Sequence, residues 1–100
     1  MWVLRTITEG LPEKTFRLPP GTIRTLGRAA GADFIVDAAL VSRVHCRLLT
    51  DARGDLTVED LDSTNGTFVN DQRVSGRAAL SAGDRLRVGR VELSVKRAES

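Results

Sequence analysis

The amino-acid sequence predicts an all-β fold, an antiparallel β-sandwich or barrel, in a single domain of 100 residues. Three observations predict it. Apolar residues recur with period two rather than 3.6. Turn-forming residues punctuate the chain at short, regular intervals, as in sandwiches and barrels. The two alanine-rich stretches, 28–32 and 38–40, are too short for helices and are flanked by Gly or Asp.

The strand-like runs follow in order. Trp2–Thr8 ends at Glu9-Gly10-Leu11-Pro12, and Lys14–Leu18 ends at Pro19-Pro20-Gly21. Thr22–Gly27 leads into a loop over 28–33, and Phe34–Val36 follows. Cys46–Thr50 and Leu56–Leu61 flank the turn Asp51-Ala52-Arg53-Gly54-Asp55. Thr67–Val69 and Gln72–Val74 flank Asn70-Asp71. Ser75-Gly76 and Ala82-Gly83-Asp84 mark two more turns. The clearest signal comes last. Apolar parity switches from even (Leu86, Val88) to odd (Val91, Leu93, Val95) across Gly89-Arg90. A two-residue hairpin turn requires that switch; it pairs Val88 with Val91 and Leu86 with Leu93, all four facing one way. Glycine at the first turn position supplies the positive φ such a turn needs. The domain core is expected over residues 2–96, with 97–100 a short tail.

Composition narrows the function classes. Hydrophobic residues make up 41% and charged residues 28%, a globular rather than a disordered balance. Cys46 is the only cysteine, so no internal disulfide forms, which suits a reducing compartment. There is no apolar run of about 18 residues to span a bilayer, and Met1–Arg5 lacks the pattern of a secretory leader. A cytoplasmic protein with no membrane partner is expected. The formal charge of +2 points weakly to an anionic partner. All the basic residues except Lys14 and Lys96 are arginine, the better fork for phosphate or carboxylate.

Three polar clusters fall at strand ends, where a sandwich carries its binding loops: Gly27-Arg28, Ser42-Arg43-Val44-His45, and Asp62-Ser63-Thr64-Asn65-Gly66-Thr67. Taken singly they are ordinary. Arg28 reads as a solvated charge, Ser42 and Thr64-Asn65 as turn residues, and Arg43 equally as a surface arginine. In this order, and continuing through Phe68-Val69-Asn70, they resemble the signature of the forkhead-associated (FHA) domain family. Asp33-Phe34-Ile35-Val36-Asp37 and the closing Gly83-Asp84…Gly89 hairpin extend the resemblance over roughly residues 2–96.

The resemblance implies an 11-stranded β-sandwich that binds phosphothreonine peptides with loops at one end. A phosphomonoester carries about −1.5 to −2 charges and three acceptor oxygens, so it needs a cationic fork and short donors. By resemblance Arg28 supplies the fork and Ser42 a hydroxyl donor. Arg43 is a second basic contact and Thr64 helps hold the phosphate. The Asn65 amide pairs with peptide backbone beside the phosphothreonine. His45 braces the two binding loops from beneath, Gly27 and Gly66 permit backbone geometry that a Cβ would obstruct, and Asn70 pins a turn. Asp71 stands where the family often has Gly, and Cys46 where it often has Ala; the turn is expected to survive and Cys46 to pack as a small hydrophobe.

Other functions fit less well. Ser42, His45 and an Asp could form a nucleophile–base–orienter set, but no Gly-x-Ser-x-Gly elbow is present. Asp60–Asp71 superficially matches a calcium loop, yet Gly66 falls one residue late and the twelfth position is Asp71 rather than Glu. Four aromatic residues and no lysine cluster argue against nucleic acid. The expectation is a non-catalytic module that needs no cofactor or metal. Its partner is a phosphothreonine-bearing protein marked by an upstream Ser/Thr kinase. A phosphate-independent protein partner is the second reading. A first strand starting at Trp2 leaves no N-terminal tail to fold back on the site, so recognition in trans is expected.

Overall fold

The computed structural model describes residues 1–98, and among these no helix forms. Eleven strands are present. They are β1 (Trp2–Thr6), β2 (Thr15–Leu18), β3 (Ile23–Gly27), β4 (Phe34–Ile35), β5 (Cys46–Thr50) and β6 (Leu56–Asp60), then β7 (Thr67–Val69), β8 (Gln72–Arg73), β9 (Arg77–Leu80), β10 (Arg85–Val88) and β11 (Val91–Arg97). A six-stranded sheet runs β2-β1-β11-β10-β7-β8 and a five-stranded sheet runs β4-β3-β5-β6-β9. The β3–β4 pair is parallel; the other strand pairs are antiparallel.

Alternation places one face of each sheet in a shared core. Trp2 and Leu4 of β1, Leu86 and Val88 of β10, and Val91, Leu93 and Val95 of β11 point inward from the larger sheet. Leu26, Cys46, Leu48, Leu56, Val58 and Leu80 meet them from the smaller one. Burying one such Leu or Val side chain contributes about 1.5–3 kcal/mol. The edges are closed by specific contacts. Phe16 of β2 stacks on Phe34 of β4 with centroids 4.6 Å apart. At the other end Trp2 Nε1 donates to the Gly54 carbonyl at 2.6 Å.

The final hairpin has the expected register, Val88 opposite Val91 and Leu86 opposite Leu93. Gly89 carries φ of +58° while Arg90 keeps a negative φ, so the turn needs glycine at its first position only. The Asn70-Asp71 turn survives with both residues left-handed, at φ 50° and 66°. Two elements differ from expectation. β9 reads as no strand in the sequence because Ala78-Ala79 has weak β-propensity; pairing with β6 forms it regardless. Arg97 lies within β11, and the Ala98 N–H donates to the Met1 carbonyl at 2.8 Å. The rest of the expected tail, 99–100, lies outside the described residues.

Strand direction gathers the loops that matter. The C-terminal ends of β3, β6 and β10 lie at the same end of the sandwich as the N-terminal ends of β5, β7 and β11. The connections 28–33, 36–45, 61–66 and 89–90 therefore cluster there.

Candidate functional site

The first loop starts where β3 stops pairing with β5. Arg28 N–H and Ala29 N–H donate to the Ser42 and Arg43 carbonyls at 3.0 and 3.1 Å, zipping the two loops together. Gly27 makes this approach possible: a Cβ there would lie 2.2 Å from the Arg43 carbonyl oxygen. The Arg28 side chain is exposed, and its Nε donates to the Val41 carbonyl at 3.1 Å. One edge of the guanidinium is thus fixed, and its two terminal nitrogens keep no protein partner among the described residues. Asp33 ties the far side of this loop to β3 by accepting from Thr25 N–H (2.9 Å) and Oγ1 (3.2 Å). The Thr25 backbone N–H holds the Asp33 carboxyl below the usual carboxylate range.

The second loop is held from beneath by His45, which is fully buried. Its Nδ1 accepts from Ser42 N–H at 3.0 Å, and its Nε2 lies 2.8 Å from the Gly66 carbonyl. A ring nitrogen facing an N–H must accept and one facing a carbonyl must donate, so the proton sits on Nε2. His45 joins the second loop to the third. Both ring nitrogens are consumed in doing so, and neither is left to deprotonate Ser42. Ser42 Oγ accepts from Thr64 N–H at 3.0 Å, which leaves its own proton free to donate.

The third loop is organised by Asp60, at the end of β6. Its carboxylate accepts from Ser63 Oγ (2.6 Å) and Thr67 Oγ1 (2.7 Å), and Ser63 Oγ accepts in turn from Gly66 N–H (3.0 Å). Partial burial raises the Asp60 pKa, but the hydrogen bonds from Ser63 and Thr67 outweigh it and leave the group below its usual value. The resulting turn exposes Thr64 and Asn65. Asn65 Nδ2 donates to the Leu40 carbonyl at 3.0 Å, and Oδ1 and the second amide proton have no protein partner among the described residues. Leu40 is left-handed at φ 70° and exposed, an uncommon backbone state for a large residue. The β10–β11 turn supports it, because a Cβ on Gly89 would lie 2.8 Å from the Leu40 carbonyl.

Arg28, Ser42, Arg43, Thr64 and Asn65 therefore line one shallow, open concavity of about 710 Å³, together with Ala39–Val41, Val44 and Asp62. Gly27, His45 and Gly66 lie directly beneath it. Asn70 does not. It sits at the far end of β7, where its side chain donates to Asp84 (2.9 Å) and accepts from Arg85 N–H (2.9 Å); it pins a turn remote from the concavity. Sequence reasoning passed over the Asp60–Ser63–Thr67 network and the Leu40–Gly89 support. A carboxylate three residues before a hydroxyl, Asp60-x-x-Ser63, is a signal for the first; nothing in a leucine signals the second.

Cys46, behind the site, is fully buried. Burial, and then the Asp60 charge, push its thiol up to about 12, so it packs rather than reacts.

The family model described as "FHA domain" matches residues 24–89. The chain belongs to the FHA domain family. That span contains all three loops. A relative 40% identical over 79 residues is the ABC transporter ATP-binding/permease protein Rv1747 of Mycobacterium tuberculosis; the match covers 79% of this chain and only 9% of that protein. The FHA domain of the CT664 protein from Chlamydia trachomatis superposes with a TM-score of 0.91 over 98% of both chains, and at 21% identity shows the shared fold. A structure from an analysis of phosphothreonine-dependent FHA domain interactions matches at 30% identity and a TM-score of 0.85, covering 99% of this chain and 98% of that one.

Proposed function

We propose that this FHA domain is a non-catalytic module that binds an extended peptide bearing phosphothreonine on a partner protein marked by a Ser/Thr kinase. The observation that carries the reading is the fixed Arg28 guanidinium beside a Ser42 hydroxyl whose proton is free to donate, on three loops locked by His45. Arg28 takes two phosphate oxygens as a fork, and Ser42 and the Thr64 hydroxyl take the others. Arg43 adds a second positive charge at the rim. Asn65, already oriented by Leu40, offers its remaining amide groups to the peptide backbone beside the phosphothreonine, where an amide can both donate and accept. The likeness to a structure studied for phosphothreonine-dependent interactions supports the same ligand.

A hydrolytic role has little to work with, since His45 spends both ring nitrogens on backbone. Residues 1–100 act as one recognition unit, in the cytoplasm, where a lone buried cysteine is at home. Shallow peptide sites bear ordering costs, so affinity should be micromolar, about −8 kcal/mol. The test is a binding panel of one degenerate peptide pool in phosphothreonine, phosphoserine and unphosphorylated form. The reading expects binding in that order, with the unphosphorylated pool silent. Equal binding by all three pools would support a phosphate-independent partner instead.

A further inference from the structure

The outward face of the six-stranded sheet is strongly basic, and nothing in the phosphopeptide reading uses it. Inward residues of these strands fill the core, so the alternate positions face solvent. The register aligns them in three cross-strand rows. Arg17, Val3 and Lys96 form one. Thr15, Arg5, Ser94 and Arg85 form the second. Glu92, Arg87, Phe68 and Arg73 form the third. The rows hold six cations against a single carboxylate, on a chain whose formal charge is only +2. The remainder of the molecule is therefore net acidic, and the asymmetry belongs to this face.

Internal pairing does not account for it. Arg5 meets Glu13 at 3.3 Å and Arg85 meets Glu92 at 3.6 Å, both across exposed side chains. Asp71 borders one corner, beside Arg85 and Arg87. Arg17, Arg73, Arg87 and Lys96 are in no ion pair among the described residues. Arg87 lies over the Phe68 ring at 4.0 Å, and Arg73 packs its guanidinium against Gly66, so the face runs up to the third loop of the site.

The geometry points to a second docking surface here, for an acidic, carboxylate-rich segment of a protein. Charge complementarity selects an anionic occupant. Five of the six cations are arginine, whose fork matches carboxylates as a pair of parallel bonds. Cross-strand neighbours lie about 5 Å apart and same-face neighbours along a strand about 7 Å, the spacing of side chains on an extended or helical acidic segment. A nucleic acid would want open aromatic faces for stacking; the one ring in these rows, Phe68, is capped by Arg87. A bilayer would want a contiguous apolar patch; the exposed Met1 and Ile7 flank the face singly, at opposite ends of β1. The surface is distinct from the Arg28 concavity and does not depend on phosphate.

The test uses a labelled twelve-residue oligoglutamate peptide at 0.15 M salt, with amide chemical-shift mapping. The expected result is saturable binding with shifts on β1, β2, β10 and β11. It should weaken at least about ten-fold in Arg17→Glu/Arg85→Glu/Lys96→Glu and be unchanged in Arg28→Ala. A matching melting temperature shows that the triple variant, altered only at exposed positions, remains folded. The inference is overturned if no saturable binding occurs at that salt, or if the triple variant binds equally. Shifts confined to the 28–43 loops would also overturn it. So would tighter binding, lost in the same triple variant, to a single-stranded oligonucleotide of equal charge or to phosphatidylserine vesicles.

Discussion

Asp71 shows what a single residue costs here. It holds φ 66° in a turn where Asn70 is left-handed too, and a side chain in that region pays a steric penalty that glycine escapes. Asp71→Gly should stabilise the domain by about 0.5 kcal/mol, seen as a higher urea midpoint with unchanged slope. Peptide affinity should not move, because the turn lies at the far end of β7. Asp60 carries a pH dependence of known sign. Its folded pKa is depressed by Ser63 and Thr67 despite partial burial, so its contribution is present above the ordinary carboxylate range. That contribution is lost as pH falls below about 4. Urea titrations from pH 6 to pH 3 should show stability dropping on the acid side, with a shallower drop in Asp60→Asn. An equal drop in the variant would remove Asp60 from the account. At this scale the sequence is legible where chemistry is local: Asn70-Asp71 announces a turn. It is silent on Leu40, whose left-handed backbone lies against Gly89 and accepts from Asn65 in the folded chain.

Loops and strands are the next level, and His45 is their junction. It links the Ser42 and Gly66 backbones with no access to solvent. His45→Ala would leave a half-buried N–H and a buried carbonyl unpaired and open a cavity. The expected cost is about 2–5 kcal/mol of folding stability, measured by urea unfolding. Phosphopeptide affinity should fall as well, although His45 lies beneath the concavity rather than in its lining, because the second and third loops lose their common brace. Stability near that of the parent would show that the loops hold without it. The 86–95 hairpin was readable to the residue, since parity and Gly89 determine its register. β9 was not, because an Arg-Ala-Ala-Leu segment becomes a strand only through its neighbour β6. The parallel β3–β4 pair likewise follows from how the 28–33 loop crosses over, not from either strand's composition.

For the whole molecule, the all-β class and the polar clusters at strand ends were legible because period-two patterning and turn chemistry are properties of the chain itself. The division into six- and five-stranded sheets was not, since it depends on long-range pairing such as Trp2 with Arg97. Of the residues singled out around the site, Asn70 is the one the fold carries away, because β7 separates it from the third loop. The same topology gives the molecule two unlike surfaces, the loop concavity lined by Arg28 and the basic outward face of the six-stranded sheet. The central claim concerns the first, and calorimetric titration of a phosphothreonine peptide into the parent and Arg28→Ala tests it most directly. The account predicts micromolar binding by the parent and a loss of about 2–5 kcal/mol in the variant, with the fold intact by melting. Parent-like affinity in a folded Arg28→Ala domain would contradict it.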